Sequence, residues 1–213
     1  MRRQFDSGDS RAAIAAIAAR HLADGSAADF DDARRRAQSD LSLQGRRDLP
    51  DNREIQRALA EYLALFEGEE LAERLLRLRR AALRALDLFK SFSARLCGPV
   101  WYGTACAHTP VSVHLISDEI EAVTRFLLER RIHYRLGEAS CRFADVAGVR
   151  RVPRFEITFA DEEFDLLVFP ASGACRHPLS ALDHKPVKRV GATELEALIE
   201  SGRLFTDQVE PRG

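Results

Sequence analysis

The pattern of apolar residues changes near residue 95, and no other feature of the sequence constrains the fold as much. Before this point, apolar residues recur at the spacing of helices that bury one face. Beyond it, they cluster in short runs rich in β-branched and aromatic residues, which is typical of strands. The sequence therefore predicts an α+β protein, with a helical N-terminal region over residues 1–95 and a small mixed β-sheet with flanking helices over residues 96–213.

Four helices are predicted in the first region. An Ala-rich segment over 11–23 follows Ser10, a residue type that commonly caps helices. Residues 29–39 begin with acidic and end with basic side chains, which suits the helix dipole. Residues 52–66 and 69–89 carry the clearest apolar stripes, and the longer of these two helices is expected to pack on a sheet or on another helix.

The second region contains five apolar runs that predict strands and two segments that predict helices. A polar joint at residues 160–162 connects the last two runs and predicts an antiparallel hairpin. The predicted strands cover residues 96–102, 111–116, 131–136, 152–160 and 163–169, and the predicted helices cover 118–130 and 193–200.

Composition excludes several classes of protein. With 213 residues, 46% of them hydrophobic, and a net charge of −1, the chain is expected to fold as one domain, with or without an appendage. The near balance of 32 basic and 33 acidic residues gives no general case for nucleic-acid binding. No secretory signal and no apolar membrane span is recognisable, and the four cysteines form no CxxC pair. We therefore expect a cytoplasmic protein with no membrane partner.

The segment from Leu96 to Ile116 carries most of the functional information. It reads as an apolar strand, a turn of small residues at Gly103–Thr104, and a second apolar strand. This order resembles the opening motif of the nucleotidyltransferase superfamily, which has the DNA polymerase β-like fold. In that superfamily the first strand ends in Gly-Ser or Gly-Gly, and the next strand carries two aspartates separated by one residue.

The resemblance implies a site on one face of the second strand. Because strand side chains alternate between faces, positions 110, 112 and 114 point the same way. In the family, two carboxylates there hold a pair of Mg²⁺ ions, which neutralise the triphosphate and activate the attacking hydroxyl. A third carboxylate comes from a neighbouring strand, and Glu156 falls about where that residue is expected.

This sequence departs from the motif at its centre, where Pro110 and Ser112 replace the two aspartates. Proline binds no metal, and a neutral hydroxyl is a poor Mg²⁺ ligand compared with a carboxylate. The prediction is therefore a nucleotidyltransferase-fold protein that has lost two-metal catalysis, needs no metal or other cofactor, and keeps a pocket for a nucleotide or another anion. The residues expected to bind that ligand are Gly103, Thr104, His108 and Ser112.

Two alternatives stay open. In the first, the protein is an active nucleotidyltransferase that holds Mg²⁺ through displaced ligands, for which Glu156, Asp165 and His114 are the candidates. Glu156 and His114 are then the expected catalytic residues, and His108 could work with His114 as an acid and base pair. In the second alternative, the helical region is an interaction or regulatory module that binds a protein partner.

The chain also resembles a group of uncharacterised proteobacterial proteins that are often labelled UDP-N-acetylmuramate–alanine ligase. This resemblance spans most of the chain and depends on the Ala-rich first helix, the spacing of Gly103–Thr104, His108 and His114, and a helix containing Leu127–Leu128. The ligase label finds no support in the residues, because no Gly-x-x-Gly-Lys-Thr/Ser loop for ATP occurs and the chain is too short for three domains.

Two further patterns have a structural explanation beside a functional one. Cys106 and His108, together with Cys175 and His177, could supply four zinc ligands, but their spacing is not that of structural zinc sites. The basic loop over residues 184–189 could meet an anion or simply be solvated.

Arginines of the helical region raise the question of nucleic-acid binding. Interleaved acidic residues favour a solvated helix face instead, with ion pairs such as Glu70–Arg74 and Glu73–Arg77. The arginines concerned are Arg34, Arg35, Arg36, Arg46, Arg47, Arg74, Arg77, Arg80 and Arg84.

Overall fold

The computed structural model describes residues 7–43, 48–207 and 209, and it confirms the α+β class. Within these residues, seven α-helices accompany one five-stranded mixed sheet. The helices are α1 (Ser7–Ala23), α2 (Phe30–Asp40), α3 (Asn52–Phe66), α4 (Gly68–Leu88), α5 (Pro99–Tyr102), α6 (Ile120–Glu129) and α7 (Ala192–Glu200), and the strands are β1 (Arg95–Cys97), β2 (Val111–Ile116), β3 (Tyr134–Arg142), β4 (Val149–Phe159) and β5 (Glu162–Phe169).

The four predicted helices of the first region are confirmed, with small changes at their ends. Helix α3 has the predicted bounds because Asp51 and Glu54 form a capping box at its start. Asp29 caps α2 by accepting a hydrogen bond from the backbone of Asp32. The prediction for Ser10 was wrong, because α1 begins at Ser7 and Ser10 therefore lies inside the helix.

The first predicted strand was too long. Strand β1 ends at Cys97, and Gly98 then adopts a φ of 75° that a strand does not continue through. Pro99 follows at the first position of α5, where its fixed φ suits a helix and its missing N–H is not needed. Residues 99–102 are therefore helical, and the turn that ends the first strand is Gly98–Pro99.

The strands lie in the order β1-β2-β5-β4-β3, with β2 and β5 parallel and the other neighbours antiparallel. The predicted β4–β5 hairpin is confirmed, and its turn consists of Ala160 and Asp161, both with positive φ. Strand β3 extends to Arg142, well beyond the predicted end at residue 136. It is an edge strand with a mostly exposed surface, so its residues lack a clear apolar pattern.

One face of the sheet forms the main core with the helices. Alternate residues of β2 and β5, such as Val113 and Leu166, point into this core, where Leu75 of α4 and Leu63 of α3 also lie. The predicted division at residue 95 thus marks a change of secondary structure across which the apolar core is continuous. A second, smaller core joins α1, α2 and the start of α3 around Ile14.

Five of the arginines on α2 and α4 make ion pairs, although the partners of the two on α4 differ from those predicted. Arg74 pairs with Glu67 and Arg77 pairs with Glu162 of β5, so that the expected pairs with Glu70 and Glu73 do not form. Glu162 is buried, and a buried carboxylate without a partner is costly, which favours the long-range pair. On α2, Arg34 pairs with Asp31, and Arg35 and Arg36 pair with Asp32. Arg46 and Arg47 lie outside the described residues.

Helix α4 also contains a buried arginine that fixes the segment following α7. The Arg79 guanidinium donates hydrogen bonds to the main-chain oxygens of Val100 (3.2 Å), Arg203 (2.8 Å) and Leu204 (2.6 Å). Gly103 packs directly against this segment, because a Cβ at Gly103 would lie 2.2 Å from the carbonyl oxygen of Leu204. This close approach explains why residue 103, with a φ of 94°, is a glycine.

Candidate functional site

The outer face of the sheet carries the residues that the sequence singled out on β2, β4 and β5. The strand register places Cys97, Ser112, Asp165, Glu156 and Arg135 opposite one another in a row across all five strands. The neighbour of Ser112 on the adjacent strand is Asp165, whereas Glu156 lies one strand further away. Of these two carboxylates, Asp165 is therefore the one on the strand next to Ser112.

Four side chains on this face form what we call the sheet-face cluster: Arg135, Arg154, Glu156 and Asp165. Arg154 holds Asp165 with the Nε–Nη2 edge of its guanidinium, at 2.7 and 2.8 Å from Nη2 to the two carboxylate oxygens and 3.0 Å from Nε to Oδ1. Its Nη1 lies 3.1 Å from Glu156, which also pairs with Arg135. The cluster lies in an open depression of about 500 Å³.

The sheet-face cluster is electrically balanced, with two guanidinium groups against two carboxylates. Arg154 lies where the lone pairs of Asp165 would otherwise face an incoming cation. A metal ion could bind these carboxylates only by displacing a bidentate arginine, which is among the strongest partners of a carboxylate. The arrangement therefore rigidifies the sheet surface and leaves little charge for a metal or an anion.

His114 shares the outer face but is enclosed. Its Nδ1 accepts a hydrogen bond of 2.9 Å from Nε of Arg189, and its ring packs on Phe169 at 4.6 Å between centroids. Burial, and then the charge of Arg189, lower the pKa of His114 to about 3. The imidazole is therefore neutral at physiological pH, and a base this weak is poorly matched to proton transfer there.

The predicted nucleotide-binding residues are not brought together. Gly103 and Thr104 are buried, and the Thr104 hydroxyl accepts a hydrogen bond from Gln56 of α3. Ser112 lies on the sheet face, while His108 is exposed in the loop before β2. Gly103 and Thr104 thus have a packing role, and His108 does not share the enclosed environment of His114.

Cys106 and Cys175, which could have shared a zinc ion, lie in different parts of the molecule. Burial raises the pKa of Cys97 to about 12 and that of Cys106 to about 11. Cys106 packs against the main core, whereas Cys175 belongs to a small cluster on the outer side of the sheet around Phe143. Within residues 7–43, 48–207 and 209, no group of three or more His, Cys, Asp or Glu side chains is arranged to hold a metal ion.

A second collection of charged residues lies between α3 and the loop that precedes α7. We call it the cationic cleft, and it is a cavity of about 360 Å³. The loop folds back on itself through a bridge between Leu179 and Pro186 and docks on α3, where Asn52 donates a 2.6 Å hydrogen bond to the carbonyl of Ala181. The side chains that define the cleft are Arg53, Gln56, Arg57, Tyr102, Lys185 and Lys188.

The sequence singled out the basic loop over 184–189, which supplies one side of the cationic cleft. It did not single out the arginines of α3, which supply the other side. Arg53 and Arg57 are four residues apart and therefore share a face of α3. The buried polar residue Gln56 between them is the signal that this face meets something other than solvent. Arg154 was likewise overlooked, although its position two residues before Glu156 on one strand places both on the same face.

Comparison of the chain with protein-family models, with curated proteins and with solved structures gives no match. In the part of the chain that the structure describes, no helix has both the length and the apolarity needed to cross a bilayer.

Proposed function

We propose that this is a nucleotidyltransferase-fold protein whose role is to bind a ligand and not to transfer nucleotides by two-metal catalysis. The observation that carries the proposal is the sheet-face cluster. Where the family's chemistry requires carboxylates with open lone pairs, position 110 is proline, position 112 is serine, and the adjacent Asp165 is held by Arg154.

Several features support the nucleotidyltransferase-like fold. Strand β1 ends in a glycine turn, a short helix follows at once, and β2 comes next along the chain. The face of β2 that carries Ser112 meets a carboxylate of the neighbouring strand, as the family's catalytic face does. The turn that ends β1 is Gly98–Pro99 and not Gly103–Thr104, which the sequence predicted. With Gly98–Pro99 as the turn, the family's order of strand, glycine turn and second strand is kept.

Charge gives the reason why two-metal catalysis does not fit. Two divalent ions bring a charge of about +4, which the family offsets with carboxylates and the substrate's phosphates. Here Arg135 and Arg154 already neutralise Glu156 and Asp165. Bringing cations to this balanced face would leave guanidinium groups beside them without partners, and like charges in contact repel strongly.

One observation favours the active alternative, namely that Asp165 lies directly beside Ser112 and is therefore placed for a metal if Arg154 moved away. His114 is not placed to assist, because it is enclosed by Phe169 and bonded to Arg189. In this alternative Asp165 and Glu156 would carry the activity, and substitution of either by alanine should abolish it.

The test is a nucleotide-transfer assay on the full chain. The four ribonucleoside triphosphates are incubated with the protein and Mg²⁺ or Mn²⁺, and release of pyrophosphate is followed. We expect no release above that of a protein-free control. Metal-dependent release that disappears in both Glu156→Ala and Asp165→Ala would overturn the proposal and establish the active alternative.

A further inference from the structure

We infer that the cationic cleft is a binding site for a small phosphorylated molecule. The inference builds on the proposed binding role and gives it a location and a ligand class. It concerns the space between α3 and the loop over 178–188, whose described lining includes no residue of the sheet-face cluster.

Positive charge exceeds negative charge around this cavity. Among the described residues, four cations line it, but the carboxylates that line it are those of Asp183 and Asp207. Asp183 is paired with Arg53 at 2.8 Å, and Asp207 is paired with Arg203 outside the lining. Lys188 reaches Glu194 at 2.9 Å.

Two of the four cations, Arg57 and Lys185, make no ion pair with another described residue, although their charges act on Glu54 and Asp183 respectively. Among the described residues, neither Arg57 nor Lys185 makes an ion pair or a side-chain hydrogen bond. Burial tends to raise the pKa of Asp183, but hydrogen bonds from Arg53 and from the backbone of Lys185 outweigh it, and the pKa lies below its usual value. A carboxylate held ionised in this way is a sign of the surrounding positive potential.

Tyr102 adds a neutral donor to the cations. It is buried and lines the cavity, and its hydroxyl has no hydrogen-bond partner among the described residues. Burial raises the pKa of Tyr102 to about 12, so the phenol keeps its proton at physiological pH. A protonated hydroxyl that lines the same cavity as Arg57 and Lys185 is suited to donate to a phosphate oxygen.

The cations from the loop are held in place by the backbone. The N–H of Ser180 donates to the carbonyl of Lys185 at 2.7 Å, and the N–H of His184 donates to the carbonyl of Ser180 at 3.0 Å. Asn52 and Arg53 fasten the same loop to α3 through Ala181 and Asp183. The loop backbone is therefore in place before a ligand arrives, which reduces the entropy lost on binding.

Size and charge together select the ligand class. A cavity of about 360 Å³ lies within the range of small-molecule sites, roughly 300–1,000 Å³. It can hold a phosphate with the organic group that carries it. Two unpaired cations match a dianion, and a phosphate offers several oxygens to guanidinium, ammonium and hydroxyl donors at once.

The experiment is isothermal titration calorimetry on the full chain, without divalent metal and at low salt, with inorganic phosphate and pyrophosphate as probes. Citrate serves as the carboxylate arm. We expect pyrophosphate to bind with a Kd of about 1 mM or tighter and citrate to bind at least tenfold more weakly. Arg57→Gln and Lys185→Gln should each weaken pyrophosphate binding about tenfold, and Tyr102→Phe should do so by a smaller factor.

Matched controls are Arg80→Gln and Lys90→Gln, which make the same change of charge at exposed positions away from the cleft. Binding that falls equally in the controls, or no binding of either phosphate probe, would overturn the inference. Citrate binding as tight as that of pyrophosphate would overturn the assignment to phosphate. A positive nucleotide-transfer assay would instead refute the proposed function, so the two failures are distinguishable. Circular dichroism of each variant checks that the chain is folded.

Discussion

The sheet-face cluster and the cationic cleft both concentrate charged side chains, but they balance charge in opposite ways. On the sheet, two arginines meet two carboxylates, and every charge has a partner. In the cleft, Arg57 and Lys185 line a cavity without a carboxylate of their own among the described residues. A paired cluster stabilises the surface it lies on, whereas cations that line a cavity without an ion pair are available to a ligand.

This difference changes where the functional site is sought. The family motif directs attention to the outer face of β2, since that face carries the chemistry in the superfamily this chain resembles. Ser112 and Asp165 lie opposite each other on that face, but Arg154 occupies the space that a cation beside Asp165 would need. The cleft has no counterpart in the motif, and its cations come from α3 and from the loop before α7.

The largest expected effect comes from Gly103→Ala, a substitution next to Tyr102 of the cleft. The new Cβ would lie 2.2 Å from the carbonyl oxygen of Leu204, and residue 103 has a φ of 94°. Strain and overpacking together should lower the free energy of unfolding by about 4 kcal/mol. The loss is measured by urea denaturation.

The control for this prediction is Gly25→Ala. Gly25 also has a positive φ, of 73°, but a Cβ there would meet nothing within 4 Å. The free energy of unfolding of Gly25→Ala should fall by about 1 kcal/mol, from backbone strain alone. If Gly103→Ala lowered the free energy of unfolding no more than Gly25→Ala, the close packing of Gly103 against Leu204 would not contribute to stability.

The next effect concerns His114, which faces the same side of the sheet as the cluster. Its pKa is about 3 in the folded chain, against roughly 6.5 when unfolded. The unfolded state therefore takes up a proton that the folded state refuses. Stability is fully present above pH 6.5 and is lost as the pH falls toward 3, by about 3 kcal/mol between pH 7 and pH 4.

His114→Gln isolates this contribution, because glutamine retains an acceptor for Arg189 but does not titrate. The free energy of unfolding of both proteins is measured by urea denaturation at pH 7 and pH 4. The acid loss should be about 3 kcal/mol smaller in the variant than in the natural chain. Equal losses in both would show that His114 is accessible to protons in the folded state.

A smaller effect is expected from Arg154→Ala, which breaks the balance of the sheet-face cluster. Asp165 has a side chain that is 18% exposed and would lose its bidentate partner, so unfolding should become easier by about 1.5 kcal/mol. Arg151→Ala on the same strand is the control, since its pair with Glu138 is exposed on both sides. That variant should lose less than about 0.5 kcal/mol, and comparable losses would mean that burial of the cluster does not matter.

The smallest effect is a gain, expected from Asp183→Asn in the cleft. The substitution removes one negative charge and ends the ion pair of Arg53, while Asn52 still fastens the loop to α3 and the amide oxygen can still accept from the backbone of Lys185. Pyrophosphate should bind about threefold more tightly at low salt, and the gain should shrink at high salt. Asp87→Asn makes the same change at an exposed site far along α4 and should have no effect; weaker binding in Asp183→Asn would contradict the charge argument.

Much of the fold followed from residue patterns that act locally. The capping pair Asp51 and Glu54 defined the start of α3, and the apolar stripe of α4 was visible from its spacing. The failures lie where context decides the structure. The apolar run over 96–102 was predicted as one strand, but it becomes helical after Gly98–Pro99. Strand β3 has few apolar residues because it is an exposed edge strand.

The candidate site was harder to predict, because it depends on contacts between distant segments. A resemblance to a family motif directed attention to positions 110 and 112, but it gave no information on which basic residue lies opposite Asp165. The pairing of Arg154 with Asp165 follows from the register of β4 and β5, which the sequence does not specify residue by residue. Arg53 and Lys185 are brought together by tertiary folding alone.

The fastening of the loop onto α3 has a consequence for the time course of folding. Asn52 and Arg53 bind residues that lie 129 and 130 positions further along the chain. Contacts between such distant segments form after the loop between them has closed, which is slow compared with the formation of a helix. During refolding, helical signal should therefore return before the chain acquires the ability to bind pyrophosphate, and the interval between the two would measure how late the cleft is assembled.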